Sequence, residues 1–172
     1  MIASRIAQAA AAATLLVCAF TGVANAQSAN LLGTFNNWAA YTLQESDGKV
    51  CYIASQPLKD EGDYTRRGEI HFIVTHRPYR GQANMVTVYA GYPYKVDAPV
   101  SVRIGNRQFN LYTKDETAWA TNEADPQIVT AMKRGRDMIV KGTSSRGTVT
   151  TDTYSLSGVT AAMNAIDKAC AS

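Results

Sequence analysis

The sequence predicts a mainly β protein: an antiparallel β-sandwich or open barrel, with helices only near the C-terminal end. Eight or nine short segments, rich in β-branched and aromatic residues, are separated by turn signals at hairpin spacing. The dipeptides Asp47-Gly48 and Gly105-Asn106 are typical of two-residue hairpin loops. One short helix at about 126–134 and a C-terminal helix at about 158–170 complete the pattern, and both are expected to pack on the sheet.

The predicted strands are runs of β-branched and aromatic residues bounded by turn signals. They cover residues 34–44, 49–55, 69–76, 85–90, 100–104, 107–113, 117–120, 137–142 and 148–156. Residues 27–32 are predicted as a frayed start, 56–67 as a polar loop and 77–84 as a turn-rich loop. The segment 34–44 is predicted as one strand, irregular around Asn36-Asn37.

Both helices are predicted from their ends and their apolar faces. Asp125-Pro126 opens the first, with Asp125 as the N-cap and Pro126 at the first helical position, and Gly135 ends it. In the second helix one face carries an apolar stripe, formed by Val159, Met163, Ile166 and Cys170. A single amphipathic helix of this length is marginal in water, so this face should lie on the sheet.

The composition indicates a single globular domain. Hydrophobic residues make up 46% and charged residues 18% of the 172 residues, which is enough to bury a core. The net charge of +3 is too small to favour nucleic acid or a strongly basic membrane surface as partner.

The first 26 residues predict a secretory signal peptide. Arg5 supplies the positive start, residues 9–20 the apolar run, and Ala24-Asn25-Ala26 the small-residue cleavage site. Cleavage would leave a single domain, 27–172, without a transmembrane span. An uncleaved membrane anchor and a lipid anchor on Cys18 are the alternatives.

The predicted export determines which cysteines remain in the mature protein and whether they can pair. Cys18 leaves with the signal, so Cys51 and Cys170 remain as an even pair in an oxidising compartment. Cys170 ends the apolar stripe of the last helix, and Cys51 shares a strand face with Ile53. We expect a Cys51–Cys170 disulfide, with two buried free thiols as the alternative.

The residues needed for metal binding or catalysis are sparse. His71 and His76 are five apart on one predicted strand, so they point to opposite faces and cannot share a metal directly. No G-x-S-x-G, P-loop, dinucleotide fingerprint or Cys-x-x-Cys occurs. We therefore expect no cofactor, no metal and no enzymatic activity. A small hydrolase that uses His71 or His76 as its base, with Asp152, is the alternative.

Several short motifs occur in a fixed order along the chain. The longest is Lys141-Gly142-Thr143-Ser144-Ser145-Arg146-Gly147-Thr148, followed by residues 151–158. The others are Gly33-Thr34-Phe35 with Trp38, Lys49-Val50-Cys51-Tyr52, Arg67-Gly68, Arg77-Pro78, Gly91-Tyr92-Pro93-Tyr94, Ala118-Trp119, and Ala131-Met132 with Gly135. Together these motifs resemble the invasion-associated locus B family of bacterial envelope proteins. The resemblance implies an extracytoplasmic protein, linked in some pathogens to host-cell entry, without known chemistry.

The expected function is therefore binding, by a periplasmic, outer-membrane-associated or secreted protein, to an envelope or host protein or glycan. Two loops, 77–80 and 92–95, are rich in Tyr, Arg and Lys. If strands 69–76 and 85–90 form a hairpin, these loops lie about 20 Å apart, and 92–95 falls beside residues 64–67. The predicted partner surface is Tyr64, Arg66, Arg67, Tyr92, Tyr94 and Lys95.

The alternative is a purely structural role, in which these tyrosines only cover the end of the sheet and the arginines are solvated. On the functional interpretation, charge reversal of Arg66 and Arg67 should weaken partner capture and leave the melting temperature nearly unchanged. The same change at Arg77 and Arg80 should matter less.

Overall fold

A computed structural model describes residues 28–171. The predicted signal peptide lies outside these residues. Within them, eleven antiparallel strands form one sheet in the order β1-β2-β3-β5-β6-β9-β8-β7-β10-β11-β4. The strands are β1 Asn30–Phe35, β2 Trp38–Glu45, β3 Gly48–Ser55, β4 Lys59–Gly62, β5 His71–Arg77, β6 Gln82–Tyr89, β7 Val100–Ile104, β8 Arg107–Lys114, β9 Thr117–Trp119, β10 Asp137–Thr143 and β11 Val149–Ser155. The helices are α1 Asp125–Arg134 and α2 Val159–Cys170, and a short 3₁₀ turn covers Pro78–Arg80.

The sheet folds back on itself around one core. Phe72 of β5 contacts Tyr154 of β11 with ring centroids 5.8 Å apart, although five strands separate β5 from β11 in the sheet order. Trp38 packs edge-on against Phe72 and donates its indole N–H to the Ser155 carbonyl at 2.9 Å. β1 and β4 remain as edges, so the predicted open antiparallel architecture is confirmed.

The hairpins differ from the sequence predictions in two places. The predicted strand 34–44 is two strands, because Phe35 pairs with Trp38 and Asn36 takes a φ of 51°, which asparagine tolerates. The predicted Asp47-Gly48 loop is centred one residue earlier, since Glu45 pairs with Gly48. The Tyr79 ring packs over Gly48, where a Cβ would lie 2.7 Å from it.

The polar segment 56–67 contains a strand that the sequence did not predict. β4, with the sequence Lys-Asp-Glu-Gly, pairs with β11 from Thr150 to Thr153. All four residues are exposed, and the strand is held at the edge of the sheet by its backbone pairing. The segment therefore shows no alternation of apolar and polar residues from which a strand could be predicted.

Asp125 is buried and does not act as the N-cap of α1. The N-cap is Ala124, and the Asp125 carboxylate accepts the backbone N–H of Val86 at 2.8 Å. Val86 precedes Thr87, which pairs with Trp119, the last residue of β9. The Asp125 carboxylate therefore accepts a hydrogen bond from β6 where β9 has ended.

We expect Asp125→Ala to lower the free energy of unfolding by about 1–3 kcal/mol, because it leaves the buried Val86 N–H without an acceptor. Asp125→Asn keeps an oxygen at this position and should lose less. Urea unfolding of both variants measures the difference. Equal stability of Asp125→Ala and the parent would contradict the assigned role.

Helix α2 lies against the inner face of the sheet, as its stripe predicted. Val159, Met163 and Ile166 are buried, and Cys170 forms the predicted disulfide with Cys51 across a Cα–Cα distance of 6.1 Å. The helix thereby joins the chain end to β3.

Candidate binding cleft

A cleft of about 770 Å³ opens where three loops meet beside β11. Residues 63–68 precede β5, residues 91–93 follow β6, and residues 144–148 connect β10 to β11. An isolated bridge between Tyr94 and Ser144, and the Ser145 N–H bond to the Pro93 carbonyl at 2.8 Å, hold the last two loops together.

The floor of the cleft is built on a buried ion pair. Arg67 binds both oxygens of Asp152, at 2.6 and 2.7 Å, and both side chains are only 4% exposed. The Arg67 Nε also donates to the Ala90 carbonyl at 2.7 Å. Burial opposes the positive charge, but the hydrogen bonds and charge of Asp152 outweigh it and raise the pKa of Arg67. Arg67 is therefore permanently charged and fixed in place.

Aromatic rings enclose this guanidinium. Its carbon lies 5.0 Å from the ring centroid of Tyr92 and 5.6 Å from that of Tyr64, distances at which cation–π attraction is significant. The hydroxyls of Tyr92 and Thr150 form a hydrogen bond of 2.5 Å, and Tyr64 donates to Asp60 at 2.6 Å. Tyr92 and Tyr64 are thus held by their own contacts.

Two glycines allow the loops to approach so closely. A Cβ on Gly142 would lie 2.8 Å from both the Tyr92 hydroxyl and the Tyr94 ring. Gly91 has a φ of +70°, and a Cβ there would lie 2.5 Å from the Gly68 carbonyl oxygen. A larger residue at either position would separate the walls of the cleft.

The rim is polar and carries charges of both signs. Arg66 and Arg146 are exposed on it, together with Asp63 and Glu116. In the part of the chain that the structure describes, none of these four side chains is in a salt bridge. Thr65, Ser144, Ser145 and Thr148 also line the cleft.

The structure brings together four of the six residues predicted as a partner surface. Tyr64, Arg66, Arg67 and Tyr92 line the cleft, whereas Tyr94 is buried beneath it and Lys95 is exposed outside its lining. The expectation that charge reversal at Arg67 spares stability is wrong, because the Arg67 guanidinium is buried against Asp152.

Loop 77–80 lies elsewhere, as the hairpin geometry predicted. Arg80 binds Asp47 at 3.0 Å and Tyr79 donates to Glu45 at 2.5 Å, so these side chains contact the β2–β3 hairpin. The contribution of loop 144–148 to the cleft was missed. The bridge between Tyr94 and Ser144 spans fifty residues, and no local signal predicts it.

The histidines do not form the triad considered above. Both Asp152 oxygens are bound by Arg67, His71 lies 3.1 Å from Glu69, and the His76 Nε2 lies 2.8 Å from Asp167. The other ring nitrogen of His76 accepts the Asn84 N–H at 3.0 Å, so no lone pair of that ring faces a substrate. Within residues 28–171, no cluster of three or more potential metal ligands occurs. No helix among these residues is long and apolar enough to cross a membrane.

Comparison with known proteins identifies the family. A family model described as "Invasion associated locus B (IalB) protein" matches residues 38–167, about three quarters of the chain. The chain belongs to the IalB family. Its fold is similar to the crystal structure of invasion associated protein b from Bartonella henselae, with a TM-score of 0.59 and 15% identity over 81% of this chain and 96% of that one. At this identity the similarity supports the fold alone. No curated protein matches the chain.

Three of the motifs that resemble the IalB family meet at the cleft. Arg67-Gly68 contacts the Gly91-Tyr92-Pro93-Tyr94 segment through the Gly68 N–H bond to the Gly91 carbonyl at 2.9 Å. Gly142, from the longest motif, packs against Tyr92 and Tyr94. In this IalB-family protein these motifs therefore build the floor of the cleft, and Arg146 of the longest motif adds one of the exposed charges of the rim.

Proposed function

We propose that this IalB-family protein is an exported envelope protein that acts by binding, and that a partner protein docks at the cleft through the rim residues Arg66 and Arg146. One observation carries the proposal: exposed, unpaired charges stand on a floor that the Arg67–Asp152 pair and its tyrosines already hold rigid. A preformed site loses less conformational entropy when a partner binds, because its side chains and loops are already ordered.

The charges of the rim favour a protein segment as the partner. Arg66 and Arg146 can bind carboxylates, whereas Asp63 and Glu116 repel a uniformly acidic chain. A protein segment that carries both signs of charge satisfies both halves of the rim. An envelope protein or a host-cell surface protein fits this chemistry, and a glycan is the alternative source.

The test is capture from envelope and host-cell surface fractions by the purified protein and by an Arg66→Ser, Arg146→Ser variant. We expect the variant to lose at least ten-fold in capture and to keep the melting temperature of the parent, since both side chains are exposed. The matched control is Arg103→Ser with Lys141→Ser, which removes two exposed cations from the outer face of β7 and β10.

Treatment of the fractions distinguishes the two sources of partner. Protease should abolish capture, whereas periodate oxidation of sugars should leave it intact. Equal capture by the cleft variant and the parent would exclude the cleft as the site. Loss of capture after periodate alone would replace the protein partner with a glycan.

A further inference from the structure

The edge strand β4 leads directly into the cleft. Among the described strands, β4 pairs only with β11, so its other backbone edge is free. All four residues of β4 are exposed, and Asp63 and Tyr64, which follow it, line the cleft. Tyr64 fixes this junction: its hydroxyl donates to the Asp60 carboxylate at 2.6 Å, and its ring lies against Gly62, where a Cβ would be 2.9 Å away. An extended segment bound in the cleft therefore has a free strand edge beside it.

One side chain of β4 lies in an electrostatically unfavourable position. Asp60 is the direct cross-strand partner of Asp152, so the two carboxylates share one face of the sheet. Arg67 binds both oxygens of Asp152, and no salt bridge within residues 28–171 includes Asp60. Burial and the charge of Asp60 both act to raise the pKa of Asp152, against the hydrogen bonds and charge of Arg67. Like charges directly opposite each other destabilise a strand pair, so a second cation beside Asp60 would relieve this repulsion.

The other two charges of β4 compensate each other. Lys59 and Glu61 point to the opposite face of the sheet, where they form a salt bridge of 2.8 Å. Charges on an edge strand commonly prevent it from pairing with other chains. The Asp60 carboxylate is selective in this respect. It excludes an apolar strand, which would bury it without a partner, but it attracts a strand that carries Lys or Arg at the facing position.

The other edge strand of this sheet has no charge. β1 consists of Asn-Leu-Leu-Gly-Thr-Phe, and Leu31 and Leu32 are 58% and 42% exposed. Charges are therefore not a general feature of the edges of this protein. They are concentrated on the edge that adjoins the cleft, which connects them with binding there.

We propose that the partner segment that enters the cleft also adds to β4 as an extended strand, with a Lys or Arg opposite Asp60. This inference rests on the proposed function and adds the conformation and one residue type of the partner. Main-chain hydrogen bonds to the free edge give affinity, and the cation gives specificity. Beyond Gly62 the segment reaches the rim, where Arg66 and Arg146 bind its acidic residues. Leu58, just before β4, is 65% exposed and offers an apolar contact at the other end.

An NMR titration of the exported protein with two synthetic peptides tests the proposal. The peptides are Thr-Val-Thr-Lys-Thr-Val-Thr and the same sequence with Glu in place of Lys, both with capped ends. Their symmetric sequence allows either strand direction. We expect the Lys peptide to shift the backbone amide signals of residues 59–62. It should bind about ten-fold more tightly than the Glu peptide, because an attractive contact with Asp60 replaces a repulsive one.

Charge reversal at Asp60 distinguishes this contact from a general attraction of cations. Asp60→Lys should reverse the preference, so that the Glu peptide binds more tightly, and a misfolded variant could not produce that reversal. Asp137→Asn is the matched control, because it removes an exposed carboxylate from β10. It should keep the preference of the parent for the Lys peptide.

The outcomes separate this proposal from the proposed function. Equal affinity for both peptides, no shifts at residues 59–62, or a preference that Asp60→Lys does not reverse would overturn the strand addition. If the Arg66→Ser, Arg146→Ser variant nevertheless loses capture, the cleft remains the binding site. If that variant captures as well as the parent while the Lys peptide binds at β4, the edge is a binding site and the rim is not.

Discussion

Removal of the Cys51–Cys170 disulfide should lower the free energy of unfolding by about 5 kcal/mol, the chain-entropy value for a loop of this length. The bond joins residues 119 apart and therefore restricts most of the domain in the unfolded state. It also holds α2, a helix of twelve residues, against the sheet. Such a helix is marginal alone, so its detachment would expose inward side chains such as Ile53 and Cys51. A loss of this size approaches the whole stability of many domains.

Denaturant unfolding of the oxidised protein, the reduced protein and the Cys51→Ala, Cys170→Ala variant measures the effect. The reduced protein and the variant should unfold at similar, much lower denaturant concentrations than the oxidised protein. Reductant should not change the variant, which makes it the control for other effects of reduction. Two free thiols per native chain, by titration of the oxidised protein, would contradict the bond.

The sequence was sufficient for those parts of the fold that local signals specify. The hairpin of β7 and β8 follows from Gly105-Asn106, and Val100–Ile104 has the predicted bounds. Helix α2 follows from its stripe, because the buried residues of a short helix repeat at helical spacing. The hairpin of β5 and β6 also allowed a geometric argument that brought residues 64–67 beside Tyr92.

The missed features depend on contacts between distant parts of the chain. β4 has no apolar face, and only its pairing with β11 reveals it. Arg67 was predicted as exposed because arginine is usually solvated, and its partner Asp152 is 85 residues away. Loop 144–148 reaches the cleft through a strand order in which β7 neighbours β10, and no local pattern encodes that order.

The buried ion pair gives the second large expected effect. Arg67→Met should destabilise the protein by about 3–5 kcal/mol, since it leaves the Asp152 carboxylate buried without its partner. Asp152→Leu should cost a similar amount for the reciprocal reason. The double variant should be less destabilised than the sum of the two, because it leaves neither charge unpaired.

Arg66→Met is the matched control, since it changes the adjacent residue of the same type. Its exposed side chain lies on the rim, so its stability should stay within about 0.5 kcal/mol of the parent. The two substitutions thus distinguish an effect on stability from an effect on binding. Arg67 stabilises the floor of the cleft, and Arg66 is expected to contact the partner. If Arg67→Met and Arg66→Met unfold at the same urea concentration, the buried pair does not hold the floor. Loss of capture by Arg66→Met at full stability would then still assign the rim to binding, because that result does not depend on the ion pair.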